Sequence, residues 1–163
     1  MAVIRGLEDA DHPALLQINA ANVPAVARLD ARELRRLADI GDLHQVAVDG
    51  DQTIVGYLLA FASSDAYDGE EFRHYTTTLR QPFIYVDQIA IAASDQRRGA
   101  GRALYLHLIN EAGRRSVRLV CCEVNARPPN PGSLKFHKRM GFRAVGSMDT
   151  ADGRIVALLT RPA

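Results

Sequence analysis

Hydrophobic and polar positions along this chain change period several times, and each change marks an element. Ala2–Arg5 reads as a short strand; Leu15, Leu16, Ile18 and Asn19 then keep helical spacing behind the acidic start at Glu8 and Asp9. A second helix is better delimited. Asp30 caps it, Glu33 stands three residues on, Leu34, Leu37 and Ile40 form its apolar stripe, and Gly41 ends it. Gln45–Val48 and Thr53–Phe61 are β-rich runs joined across Asp49-Gly50-Asp51, a hairpin signal. The polar stretch 63–81, closed by Pro82, is long for a structureless connection and reads as a lid or binding loop.

The second half is more regular. Phe83–Ile91 is a strand, and Ala100–Arg114 is a helix with Leu104, Leu108 and Ala112 on one face. Val117–Val124 is a near-continuous apolar strand of the kind buried on both sides of a sheet. Together they make a βαβ unit. Asn130 as cap, Pro131 at the first helical position and Gly141 as stop delimit a short helix. Phe142–Met148 and Arg154–Leu159 close the chain around Asp152-Gly153. The pattern predicts an α+β fold with a sheet of about seven strands and about four helices, in a single domain over residues 1–163.

Composition narrows the class. At 47% apolar and 24% charged residues the chain is neither a disordered segment nor a fibrous repeat, and no run approaches the roughly 18 apolar residues of a membrane span. Cys121 and Cys122 are adjacent, a poor geometry for a disulfide; with no secretory apolar core after Met1, a cytoplasmic protein is expected. The five histidines show no zinc-ligand spacing, so no metal is expected. A net charge of +1 gives no footprint for nucleic acid. That total conceals a partition: residues 1–95 carry fifteen acidic and seven basic side chains, and residues 96–143 carry two and eleven.

The basic segment opens on Asp95-Gln96-Arg97-Arg98-Gly99-Ala100-Gly101-Arg102, between a strong strand and a strong helix. Small residues let the backbone curl, and the free N–H groups of the helix start make an anion site. A P-loop would need Lys-Ser/Thr after the second glycine, where Arg102 and Ala103 stand. A dinucleotide fingerprint would accept Gly99 and Gly101 but meets Leu104 at its third glycine, and the spacer Ala92–Arg98 sets the glycines away from the strand. Gln96-x-x-Gly99-x-Gly101 instead resembles the pyrophosphate loop of the GNAT superfamily of CoA-dependent N-acetyltransferases. Asn130-x-x-Ser133-x-x-Phe136-His137-x-x-x-Gly141-Phe142 is similar to the later helix of that family, and the two elements occur in family order over about residues 83–146. Tyr85-Val86-Asp87, Cys122-Glu123-Val124-Asn125 and Pro129-Asn130-Pro131 look like a bacterial subgroup.

The resemblance implies a three-layer fold around a mixed, mostly antiparallel sheet with a splayed central parallel pair. It also implies an N-acetyltransferase moving an acetyl group from acetyl-CoA to a primary amine of a small molecule or peptide, by direct attack in a ternary complex. Ile89, Ala90 and Ile91 would pair with the pantetheine arm, opposite Val120–Val124. The backbone from Gln96 through Arg97, Arg98, Gly99, Ala100, Gly101, Arg102 and Ala103 would hold the pyrophosphate. The three arginines of this loop fit phosphate contacts and a solvated helix start equally. Asn125, Asn130, Ser133, Phe136 and His137 match cofactor-contacting positions, although Asn130 is also explained as a cap. A strand N–H near Ile89 would face the oxyanion. Dimers are common in the family, so a homodimer is expected.

Three roles follow for side chains. Asp87 and Glu123 are carboxylates in apolar strands, and charges are rarely buried without a partner or a task, which makes them candidates for the base. Asp87 alternates with Tyr85 and Ile89 on one face; Glu123 also fits a structural carboxylate paired with arginine. His137 occupies the position where the family often has an acidic tyrosine, and helical spacing turns it inward with Ser133, Phe136 and Met140. A hydrogen-bonded structural histidine satisfies the same pattern. The acceptor amine is expected against the first two helices and the 63–81 loop, at Asn22, Tyr67, Asp68, Tyr75 and Tyr85, with Asp65, Glu70 and Glu71 adding negative charge; an acidic solvated loop is the plainer explanation of those acids. Cys121 and Cys122 read as buried apolar residues. Two other classes stay open, an acyl-CoA-binding sensor without turnover and a Rossmann-type nucleotide binder.

Overall fold

The computed structural model describes all 163 residues, Met1–Ala163. Seven strands, β1 (Val3–Gly6), β2 (Gln45–Val48), β3 (Ile54–Ala62), β4 (Ile84–Ile91), β5 (Leu119–Arg127), β6 (Arg143–Asp149) and β7 (Ile155–Pro162), form one sheet in the order β1-β2-β3-β4-β5-β7-β6. All neighbours are antiparallel except β4 and β5, which run parallel. The helices are α1 (His12–Asn22), α2 (Ala31–Ala38), α3 (Glu70–Thr78), α4 (Ala100–Arg114) and α5 (Pro131–Arg139).

Local chemistry explains most boundaries. Asp49 Oδ1 accepts from the N–H of Asp51 and of Thr53, which closes the turn between β2 and β3. Asp30 caps α2 by accepting from the Glu33 N–H at 2.8 Å, while the Glu33 carboxylate turns to Arg36 and not back to the cap. Asn130 caps α5 through the Ser133 N–H, with Pro131 at the first helical position.

The 63–81 stretch departs from its expectation as an open loop: it contains α3, anchored by Phe72 and Tyr75 at 3% and 1% exposure. Two aromatics three residues apart are enough to dock a short helix on the sheet, but too sparse a stripe to stand out among polar neighbours. The sheet carries one apolar cluster on each face. Leu15, Leu34, Phe72, Tyr75, Tyr85 and Cys121 pack on the α1–α3 side; Ala100, Leu104, Tyr105, Val86, Cys122 and Phe142 pack on the α4 side. Alternation through β4 breaks at one point. The register with β3 shifts between Leu59 and Ala60, so that Leu59 opposes Gln88, Ala60 opposes Val86, and Asp87 is the extra residue of a bulge.

Candidate active site

β4 and β5 stay together only where Ile84, Tyr85 and Val86 face Val120, Cys121 and Cys122. Beyond that point β4 runs on to Ile91 and β5 to Arg127 without pairing, and a cleft of about 240 Å³ lies at the fork. Its lining combines Asp87 and Gln88 of β4, Glu123, Val124 and Asn125 of β5, Asn130 and Ser133 at the start of α5, Tyr67, Glu71, Arg154, Glu33, Leu37 and the connection Ala25–Leu29.

The bulge explains how two consecutive β4 residues reach this cleft. Strict alternation would send Asp87 and Gln88 to opposite faces, whereas here Asp87 meets Tyr67 and Gln88 meets Asn19 and Tyr57, all on the α1–α3 side. Ile89 consequently packs on the opposite cluster, which corrects the expectation that it shares a face with Asp87. Asp87 Oδ1 accepts from the Tyr67 hydroxyl at 2.7 Å, and Glu123 Oε2 accepts from the Tyr85 hydroxyl at 2.7 Å. Burial pushes the Asp87 carboxyl up to about 6; the charges of Glu71 and Glu33 add to the rise and the Tyr67 hydrogen bond opposes it. Glu123 is driven well above the usual carboxylate range, first by burial and then by Glu71 and Asp87, against Tyr85 and Arg154. Both carboxyls are thus held above the usual carboxylate range, Asp87 at about 6.

Tyr67 is held by stacking on Phe61 at 3.9 Å between ring centroids. Gly69 makes room for it, since a Cβ there would meet the Tyr67 ring at 2.5 Å.

Several cleft residues escape sequence reasoning. Gln88, the polar neighbour of Asp87 in an apolar strand, was a readable sign of a broken alternation. Glu33, Arg154 and the 25–29 connection left no such sign, because only the fold brings them to the cleft. Arg154 spans the end of the cleft, donating to Asn125 Oδ1 at 2.9 Å, lying 3.6 Å from Glu71 and bonding Asp152.

Other expected residues lie elsewhere. His137, 3% exposed, belongs to the α4 side of the sheet: its Nε2 is 2.7 Å from the Tyr105 hydroxyl and its Nδ1 is 2.8 Å from the Ser133 carbonyl. That carbonyl only accepts, so Nδ1 carries the proton and Nε2 accepts from Tyr105. Burial lowers the pKa of the ring further, keeping it neutral. Its one link toward the cleft is Ser133, whose Oγ is 3.3 Å from Nδ1. Tyr75 is buried and donates to the carbonyls of Cys122 and Leu159. Tyr85 is buried beneath the cleft, Asn22 binds the carbonyls of Ile18 and Ile91, and Asp68 pairs with Arg36 at the surface. Of the loop acids, Asp65 takes the Ala62 N–H and Glu70 takes the Ala151 N–H; only Glu71 reaches the cleft. Cys121 and Cys122 are free and buried on opposite faces, and burial raises both thiols beyond use as nucleophiles.

The second half of the site is the start of α4. Arg97 and Gly99 adopt left-handed φ of 67° and 91°, which turns the chain sharply into the helix. A Cβ on Gly99 would meet nothing within 4 Å, so the space over this turn is open. The N–H groups of the first turn have no intrahelical partner, and no side chain caps them. Arg98 leans 3.8 Å from Asp95, while the Arg97 and Arg102 guanidinium groups have no partner in the chain. Gly101 lies against Phe136 and Ile91, which ties this turn to α5 and to the far end of β4. Free N–H groups, an open left-handed turn and unpaired arginines fit a pyrophosphate.

A splayed parallel pair next to such a turn, on a seven-stranded mixed sheet, meets the fold that the motifs imply. The model of the Acetyltransferase (GNAT) family matches residues 13–142. This chain belongs to the GNAT family. It is accordingly an acyltransferase, and solved GNAT structures match it over nearly its whole length. A GCN5-related N-acetyltransferase from Kribbella flavida is 26% identical with a TM-score of 0.72, covering 99% of this chain and 98% of that one. The ribosomal-protein-S18-alanine N-acetyltransferase from Escherichia coli is 21% identical with a TM-score of 0.68, covering 99% and 94%. Arabidopsis thaliana Naa50, in complex with the bisubstrate analogue CoA-Ac-MVNAL, is 16% identical with a TM-score of 0.73, covering 98% and 97%. No curated protein matches the sequence. No helix is long and apolar enough to cross a membrane.

Proposed function

We propose that the protein transfers an acetyl group from acetyl-CoA to the primary amine of a small molecule or peptide, by direct attack in a ternary complex. The observation that carries this reading is the convergence of Asp87 and Glu123 on one cleft at the fork of β4 and β5. The first-turn N–H groups of α4 and the arginines beside them hold the pyrophosphate, and the β4 backbone at Ile89, Ala90 and Ile91, left without a β5 partner, offers N–H and C=O groups to the pantetheine arm and to the oxyanion. Acetyl-CoA supplies the acyl thioester. Structures of relatives support the choice of cosubstrate and acceptor: the Naa50 analogue joins CoA to a peptide, and the E. coli protein is named for acetylating an alanine of a ribosomal protein.

The chain's own task is to deliver an unprotonated amine. Asp87, with its carboxyl raised to about 6, is ionised at neutral pH yet more basic than an ordinary aspartate, and Tyr67 fixes which oxygen is free. Glu123, raised by burial and by the charges of Glu71 and Asp87, faces the same cleft and donates or accepts through the oxygen that Tyr85 leaves free. His137 holds α5 against α4 through Tyr105 and so positions Ser133 at the cleft wall. Incubation with acetyl-CoA and a panel of amines, following free thiol, tests the reading. Thiol release with an acceptor supports it; tight CoA binding with no release favours a sensor, and preference for NAD over CoA in competition calorimetry favours a nucleotide binder.

A further inference from the structure

The charged groups of the cleft are nearly all spoken for. Glu33 is taken by Arg36 at 2.7 Å, Glu71 lies 3.6 Å from Arg154, Asp87 accepts from Tyr67, Glu123 accepts from Tyr85, and Arg154 is shared among Asp152, Glu71 and Asn125. Arg28 lines the same cleft and has neither a salt bridge nor a side-chain hydrogen bond. Its backbone, in contrast, is fixed on both sides. The Ala27 carbonyl accepts from Asn19 Nδ2 at 2.9 Å and from Gln88 Nε2 at 3.0 Å, and the Leu29 N–H donates to Asn19 Oδ1 at 2.9 Å.

Both amides are deeply buried, Asn19 at 0% and Gln88 at 5% exposure, and the second N–H of Asn19 Nδ2 is shared between Gln88 Oε1 and the Tyr57 hydroxyl, each at 3.1 Å. Interlocked amides of this kind are costly to bury unless every group is satisfied, and satisfied they hold one geometry. The consequence is a connection whose backbone is rigid and whose single charged side chain at the cleft is left open. Arg28 is exposed, and its fixed backbone sets where the side chain starts, so its guanidinium is free to take up an anion at the cleft mouth, and carboxylates match its planar fork.

Resting on the acetyltransferase reading, we propose that Arg28 is a specificity-determining residue, and that the acceptor is an amine carrying a carboxylate near it: a free amino acid through its own carboxylate, or a peptide with an acidic side chain close to its amino terminus. The amine enters toward Asp87, and the carboxylate is held at the Ala25–Leu29 rim.

The test measures kcat/KM by thiol release with matched acceptors: amino acids against their carboxamides, and short peptides with Asp at the second position against the same peptides with Asn. The carboxylate member of one pair is expected to be favoured by about ten-fold, the scale of a charge-assisted hydrogen bond at a partly exposed site, and the pair that shows it identifies the source. Arg28→Ala brings that ratio to about one and Arg28→Glu inverts it. Arg32→Ala, at an exposed residue outside the cleft, keeps it. Turnover of both members at equal efficiency, a ratio that survives Arg28→Ala, or an Arg28→Ala defect confined to the KM for acetyl-CoA overturns the role of Arg28 while leaving the acetyltransferase standing. CoA binding with no thiol release for any acceptor overturns the acetyltransferase and this inference together.

Discussion

The two faces of the sheet handle buried polar groups in opposite ways. On the α1–α3 side, Asp87 and Glu123 each receive one tyrosine hydroxyl, are both raised by burial and by the charge of Glu71, and open onto the cleft. On the α4 side, His137 has both ring nitrogens engaged, by Tyr105 and by the Ser133 carbonyl, inside an apolar cluster. All three are polar residues in apolar surroundings. The difference between them is unspent hydrogen-bonding capacity together with access, not burial, and on the proposed reading that difference separates a reactive group from a structural one.

The largest test of this contrast is to remove each group in turn. Asp87→Asn should lower kcat/KM by about 10²–10⁴, the range of a lost general base, with the fold retained. His137→Ala should behave in reverse: a loss of about 2 kcal/mol in denaturant unfolding, from the cavity and the orphaned Tyr105 hydroxyl, with kcat/KM within a few-fold when assayed well below the transition. A collapse of kcat at unchanged stability would instead make His137 the acid.

Next in size is the pH dependence. With the Asp87 carboxyl near 6 and its ionised form needed, kcat/KM should climb as pH rises through about 6, and Asp87→Asn should remove that limb. Stability should move the other way. The folded carboxyl lies above its ordinary 3.8, so between 3.8 and about 6 the folded protein binds more protons than the unfolded chain, and Asp87 costs progressively more stability as pH rises. At pH 7 Asp87→Asn should therefore be more stable than wild type by about 1–2 kcal/mol, and the gap should close toward pH 4. A variant less stable at pH 7 would show that Asp87 is a structural carboxylate.

The smallest effect sharpens the role of Tyr67. Its hydrogen bond favours the ionised carboxylate, so Tyr67→Phe should shift the activity limb upward by less than one pH unit. A downward shift would place the hydroxyl on the neutral form.

Much of the fold was legible before any coordinates. The succession of strands, the caps at Asp30 and Asn130 and the Asp49 turn follow from side-chain chemistry acting within a few residues, whereas β5 and β7 each run three residues past the expected ends at Val124 and Leu159. The helix at Glu70–Thr78 was missed because its stability comes from two aromatics meeting the sheet, a tertiary contact with little local signature. Within the site, Asp87 and Glu123 announced themselves as charges in apolar runs. Arg28 and Arg154 are ordinary arginines in sequence, and only the fold brings them to one cleft.

Local sequence determined the anion turn at Gln96–Arg102, since glycine conformation and unpaired helix N–H groups are short-range properties, and with it the resemblance to the family. Tertiary structure decided which polar groups share the cleft. A single extra residue against β3 turned Gln88 to the same face as Asp87, and Tyr105 and Gln88, which complete the hydrogen bonding of His137 and of the Ala27 carbonyl beside Arg28, come from elements remote in sequence. Hydrogen-bond satisfaction inside a protein is settled across such distances, and reactivity is set by whatever capacity remains.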